Sequence, residues 1–445
     1  MKKTIVLTLG ITLLIVAGCT RATELTPTEQ PTVPEVHSTE VPEPTPTKIT
    51  STDTPEPTAI DEPRINYTVS GIITEDEIWR DEIHITGDIG FSNGANLTIE
   101  PGTIVYIASN SDDRHANDTD GCFDEVTCKY DDPTMRVGWG ANAVLIDGRG
   151  GVINAVGTPG EPIVFRPEGD STSTSQYDGI YIERGALEYS RILYGSGMQV
   201  LGQPGVVEVA YNEIRHFLVV GIGVFKEGAW IHHNILEGGG HQAIGTATNN
   251  VLIEHNTILR CNVGINVENA GDQIPRDIIV RNNLILDCGN GIGIFAIDSE
   301  ISNNTIAHIE GPPDGIYYQG ELVYPVIDNW VGGKGMMVNG ELSVLNNIIF
   351  GDFTNGMIVF PDLGKNTIID YNLFWGHDVT INDPTLDVVG TNNTVADPLF
   401  IDLENWDLHL SPESPAIDAG WPNITDPDGS PSDIGAYGGP QANGW

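Results

Sequence analysis

Apolar positions in this chain recur with a period in the low twenties between Val206 and Phe374. The phrase carries Asn212, Asn234, Asn256, Asn283, Asn304, Asn329, Asn347 and Asn372, at gaps of 22, 22, 27, 21, 25, 18 and 25 residues. Three residues before each stands Val or Ile, from Val209 to Ile369. Two residues after each stands another large apolar residue, from Ile214 to Phe374. One such coil cannot bury its apolar side alone, so the period predicts a solenoid. The β-branched residues around each Asn predict strand, corner, strand. Asn is read as the corner residue itself, because it tolerates left-handed backbone better than other non-glycine residues. A glycine-led strand follows most corners, as in Gly221–Val224, Gly264–Val267, Gly291–Ile294 and Gly315–Tyr318. Its alternation sends Ile and Val inward and small or polar residues outward. Coils stacked ~4.8 Å apart would let the eight asparagines bond one another in a ladder. No helix-length amphipathic stretch interrupts, so the class is all-β, a single-stranded parallel β-helix. A leucine-rich solenoid is excluded, since the repeat has no LxxLxL frame and no helical half.

The first 18 residues stand outside this pattern. Lys2 and Lys3 precede an apolar run from Ile5 to Val16, too short for a comfortable membrane span, which ends in Val16-Ala17-Gly18-Cys19. The stretch resembles the bacterial lipoprotein signal, which implies lipidation of Cys19. Membrane attachment is then expected through the N-terminal lipid only, facing outside the cytoplasm. Residues 19–64 are rich in Thr, Pro and Glu and predict an extended tether without a core.

The coil pattern is expected from about residue 65 to 397. Leu97-Thr98-Ile99-Glu100-Pro101-Gly102-Thr103 resembles the opening coils of bacterial surface β-helix proteins, and residues 150–166 repeat the hint. Ser190 stands 22 residues before Asn212 and takes the ladder position there. An acidic insertion, 111–133, interrupts these coils. Cys122 and Cys128 within it are expected to pair in an exported protein. Asp118 and Asp120 have the alternate-oxygen spacing of a Ca²⁺ loop, though a solvated acidic loop explains them more simply. Cys261 and Cys288 each lie five residues after a ladder Asn. Side chains stacked in register point the same way, so a buried thiol pair is expected rather than a bond.

Residues 398–445 change character. Asp397-Pro398-Leu399-Phe400, Ser414-Pro415-Ala416-Ile417-Asp418 and Asp433-Ile434-Gly435-Ala436-Tyr437 together resemble the closing segment of right-handed parallel β-helix proteins of the choice-of-anchor Q group. Gly438 stands where that group usually has an acid. The resemblance implies a right-handed coil with a C-terminal cap, which would cover the unpaired strand edges of the last rung. Asp426, Asp428 and Asp433 repeat the cation-loop spacing.

Charge then narrows the partners. The 445 residues carry 62 acids against 20 Lys and Arg, a formal charge of −42. This excludes nucleic acid and anionic membrane surfaces as direct partners and suits a calcium-containing exterior. A monomer is expected. The fold resembles the pectate-lyase-like superfamily, which implies three roles: binding of carbohydrate or another surface polymer, a polysaccharide lyase or glycosidase, or a non-catalytic adhesin or spacer. Lyases need a base and a neutraliser for the uronate, hydrolases a carboxylate pair. The outward positions of the glycine-led strand are Gly223, Gly245, Asn266, Gly293 and Tyr317, with no carboxylate cluster. Beside them Lys226 and His241 form a candidate base and acid, and Glu268 and Asp298 a candidate acid pair or Ca²⁺ site. Glu227, Asp272 and Arg276 flank them, and solvated loop residues are the simpler reading of all seven. Neither a polygalacturonase-like aspartate pair nor the arginine-proline phrase of pectate lyases is present. Asn266, Tyr317, Tyr318, Tyr324 and Trp330 are candidates for stacking and hydrogen bonding to sugar. His233 and His255 occupy matching positions and are read as part of a polar exterior ladder rather than as a metal pair.

Overall fold

Each coil is built from three short strands. We call the strand before the ladder Asn leading, the one after it middle, and the glycine-led one trailing. The computed structural model describes residues 66–109, 144–169, 177–201, 207–269, 273–309, 315–318, 321–325, 333–360, 366–383 and 385–444. These form one compact unit. Cys19, Asp118, Asp120, Cys122, Cys128, Asn329 and Trp330 lie outside them. Every coil-to-coil pairing among the described residues is parallel, and the strands link into a single sheet of 32.

The register stacks like on like. Leading strands align Leu187, Val209, Ile231, Ile253, Val280, Ile301, Val344 and Ile369. Middle strands align Ile192, Ile214, Leu236, Ile258, Ile285, Ile306, Ile349 and Phe374. All sixteen are at most 1% exposed. Each contributes about 1.5–3 kcal/mol from burial, an upper figure because unfolded chains are not fully extended. The β-branched preference follows from this column packing, since a stiff side chain loses little on joining an identical neighbour.

The asparagine ladder is present, with three corrections. First, the left-handed residue is not the Asn but the one before it. Tyr189, Tyr211, His233, His255, Asn282, Asn303, Asn346 and Tyr371 all have φ between 47° and 58°. The ladder Asn is there for its amide. Asn234 illustrates the set: its Oδ1 accepts from Asn212 N and Nδ2, both at 3.0 Å, and its Nδ2 donates to Asn256 Oδ1 and to the Val209 carbonyl. Donors and acceptors that turn into the core are thereby satisfied.

Second, the described ladder passes from Asn304 straight to Asn347. Asn304 donates straight to Asn347 Oδ1 from both its nitrogens, at 3.0 Å. Ile301 pairs with Val344, and Ile292 with Met336. The 43-residue gap is therefore one coil carrying an excursion. Gly315–Tyr318, expected as a trailing strand, instead pairs antiparallel with Glu321–Pro325 in a separate two-stranded sheet. Tyr317, Tyr318 and Tyr324 thus belong to this hairpin and not to successive coils. The ladder is extended elsewhere, by the Ser190 amide at one end and by Asn393 at the other.

Third, the C-terminal segment runs as a strap along the flank. Phe400, Leu403, Trp406 and Leu408 lie over the middle strands, against Leu259, Leu284, Leu286 and Phe350. The chain then returns, and Ala416 and Ile434 cover Ile348 and Leu373. Its last pass bonds the corner residues directly. Asn303 Nδ2 donates to the carbonyl of Asp433, and Asn282 Nδ2 to those of Ala436 and Gly438. The His255 ring meets the Gln441 carbonyl at 2.9 Å. Cys261 and Cys288 are free and buried on adjacent coils, with Cys288 Sγ 3.4 Å from the Cys261 amide. Burial pushes the Cys261 thiol well up.

Candidate ligand-binding surface

The four residues read as catalytic stand at separate stations. Lys226 follows a trailing strand and is 5% exposed. Its Nζ donates to the Glu183 carbonyl at 2.7 Å, so it serves as a strut between coils. Burial lowers its pKa. His241 stands at the opposite end, just before the trailing strand Gln242–Thr246. Burial lowers its pKa too, against a weaker upward pull from Glu268. Glu268 is exposed two coils beyond Lys226. Asp298 lies at the next corner, with φ of 52° and Arg276 3.8 Å away. No hydrogen bond or ion pair joins any two of the four.

The trailing face is not an open groove floor. Its outward column runs Tyr181, Gln199, Gly223, Gly245, Asn266, Gly293 and Met337, so Met337 takes the place expected for Tyr317. The glycines make room for neighbouring side chains. A Cβ on Gly245 would stand 2.2 Å from Gln242 Oε1, and one on Gly293 3.0 Å from Asn266 Oδ1. Asp298 instead opens on a cleft of about 330 Å³ at the trailing-to-leading corner, together with Asp277, Glu300 and Glu341.

The strap aspartates Asp426 and Asp433 are half-buried and Asp428 is exposed. Asp426 accepts from the amides of Asp433 and Gly439, and Asp433 Oδ1 from the Asp418 amide. Asp428 Oδ1 accepts from the Ser430 amide and hydroxyl, which hold its pKa down. Burial raises Asp426 and Asp433. Each of the three thus accepts hydrogen bonds within its own turn or from a neighbouring strap amide. Among the described residues no three His, Cys, Asp or Glu side chains converge as a metal cluster.

The densest assembly of polar and aromatic side chains lies at the leading-to-middle corner. Because the left-handed residue repeats once per coil, its side chains stack. Tyr189 and Tyr211 are 4.7 Å apart, Tyr211 and His233 4.8 Å, His233 and His255 5.0 Å. These separations match the ~4.8 Å coil spacing. The rings cover one another's faces; Tyr211 is 41% exposed, whereas His255 is 4% exposed with its ring edge on the Gln441 carbonyl of the strap. Beside the row, on the leading strand, Trp230 stacks on His232 at 3.9 Å and donates to Glu254 Oε1. His232 Nε2 meets Glu208 Oε1 at 3.0 Å. Burial lowers the pKa of His232 and His255 and raises those of Glu188 and Tyr211. His233 and His255, expected as a polar exterior ladder, do stack in register. The roles of Trp230, Tyr211, Tyr189 and Glu208 were not foreseen. The signal was there, an aromatic or His directly before the ladder position in four consecutive coils, which Ser190 fills in the first and Asn in the other three.

A continuous parallel sheet wound in rungs, with an amide ladder, defines the class as a parallel β-helix. A family model described as a right-handed beta helix region matches residues 170–321, which gives the hand of the coil. No curated protein matches the chain.

Proposed function

We propose that this β-helix binds an extended carbohydrate, or a similar hydroxyl-rich surface polymer, along its leading-to-middle corner. The observation that carries the reading is the row Tyr189, Tyr211 and His233, spaced at the coil repeat beside Trp230. A row of hydroxyl and imidazole edges at regular spacing suits a ligand that also repeats, and the neighbouring indole offers apolar contact. The charge of −42 argues against a polyanion bound without cations. The Cys19 motif and the Thr/Pro tether support a lipid-held domain standing off a membrane, on its outer side. A spacer or adhesin role is the reading left if no polymer binds.

The second reading, a polysaccharide lyase or glycosidase, draws on the cleft where Asp298 and Glu300 open together, since glycosidases work with two carboxylates. One experiment separates the readings. The mature chain is incubated with a panel of neutral, amino and uronic polysaccharides, with and without Ca²⁺. Retention, unsaturated products and reducing ends are measured. Binding without products, weakened about tenfold, or about 1.4 kcal/mol, by Tyr211→Ala or Trp230→Ala, supports the first. Products that vanish in Asp298→Asn support the second. Retention of no polymer, or retention indifferent to both aromatic changes, overturns the corner as the binding surface.

A further inference from the structure

Two adjacent imidazoles meet nitrogen to nitrogen at this corner. His232 Nδ1 and His233 Nδ1 lie 2.7 Å apart, within hydrogen-bonding distance. Such a contact needs a proton on one nitrogen and none on the other. A neutral ring carries one proton and a cationic ring two. The contact therefore survives with two or three protons on the pair and fails with four, when both Nδ1 atoms are donors. With Glu208 accepting at His232 Nε2, the neutral pair has His232 donating there while its Nδ1 accepts from His233 Nδ1–H.

The surroundings decide which ring moves. Glu208 and Tyr211 face the pair from the preceding coil, Glu254 and His255 from the following one, and Trp230 from the same strand. Arg281, beyond Glu254, bears on His255. The His232 side chain is 4% exposed and held by Trp230 and Glu208, so it stays. His233 is partly exposed on a left-handed corner at φ 54°, stacked between Tyr211 and His255, and is the more accessible ring of the two.

We propose that the His232–His233 contact is an acid-sensitive latch on the ring row. A fourth proton breaks it, and His233 leaves its place between Tyr211 and His255. The row is continuous at neutral pH and interrupted in acid. The latch rests on the polymer-binding reading only for what it regulates, since the step itself needs no ligand.

Trp230 reports on the latch because it stacks on His232. Emission of the full chain is followed from about pH 7.5 to about pH 4.5, and the Trp230→Phe signal is subtracted. The expected result is a reversible step with circular dichroism unchanged. The step should disappear in His233→Asn, which places at this corner the residue found at Asn282, Asn303 and Asn346 and so preserves the backbone. Absence of a step, a step that persists in His233→Asn, or a step that coincides with unfolding would overturn the latch. A step in a protein that binds no polysaccharide leaves the latch standing and removes the polymer-binding reading alone.

Discussion

Tyr211 and Asn303 hold the same corner of different coils, with φ of 58° and 51°. Tyr211 is open to solvent within a stack of rings. Asn303 is 2% exposed and donates to the strap carbonyls of Asp433 and Gly435. The backbone demand is identical. What differs is what lies outside. The middle strands make the same contrast: Glu213, Ile235, Thr257, Leu284, Thr305, Ile348 and Leu373 form one outward column, open toward one end and, from Leu284 on, buried beneath the strap. The coil thus fixes conformation, and the covering fixes side-chain chemistry.

The largest effect tests the frame that both regions share. Asn347→Ala leaves the Asn304 amide without its side-chain acceptor and removes one bond each from Asn304 Nδ2 and from the Ile301 and Leu345 carbonyls. We expect a loss of about 4 kcal/mol in urea unfolding. Asn329→Ala, in the sequence between the bonded rungs Asn304 and Asn347, should stay within about 0.5 kcal/mol. Equal losses would restore Asn329 as a rung. The next effect breaks the comparison itself. Ile348, 1% exposed, and Ile235, 40% exposed, share a column. Ile348→Asp should cost about 3 kcal/mol, whereas Ile235→Asp should be nearly neutral. Similar values from thermal melts would mean the strap does not shield the flank.

A third test concerns the coils far from the strap. Burial, with Asp88 adding repulsion, pushes the Asp178 carboxyl up to about 7, and its Oδ1 has no partner. The folded state thus holds a proton that the unfolded state releases near 4. This contribution is fully present below the unfolded pKa and is lost as pH rises from there to about 7. Asp178→Asn should flatten the decline by about 2–4 kcal/mol, read from urea midpoints across pH. A decline of equal slope in the variant would assign it elsewhere. The smallest effect is on the open flank, where Arg215 bridges Glu213 and Glu237. Arg215→Ala should cost under about 1 kcal/mol and nothing in high salt, as double-mutant cycles with Glu237 would show.

The stacked columns were legible because a core repeated coil after coil leaves its period in the chain. Asn329 was counted because Val326 and Val331 supply the same apolar frame, whereas the described ladder bonds run from Asn304 to Asn347. Asn was also credited with the left-handed turn that its neighbour makes. Its own task, bonding amides above and below, depends on contacts between residues some 22 positions apart. The strap was expected at the open end of the coil because its partners, Leu284, Ile348 and Leu373, look like ordinary strand residues until their outward direction is known. Lys226 was read as a base because a cation in a loop gives no sign that a carbonyl two coils away will hold it.

The strap also works as a ruler. Its final pass meets His255 through Gln441, Asn282 through Gly438, Asn303 through Asp433 and Asn346 through Ser432. A bare solenoid gains or loses a repeat with little penalty, since each rung touches only its neighbours. Here an added or missing rung between His255 and Asn346 would shift every later contact by one pitch. Gene-level duplication of a single repeat, easily accepted by other coils, would be rejected in this stretch, so its length is set by a segment that is not itself part of the coil.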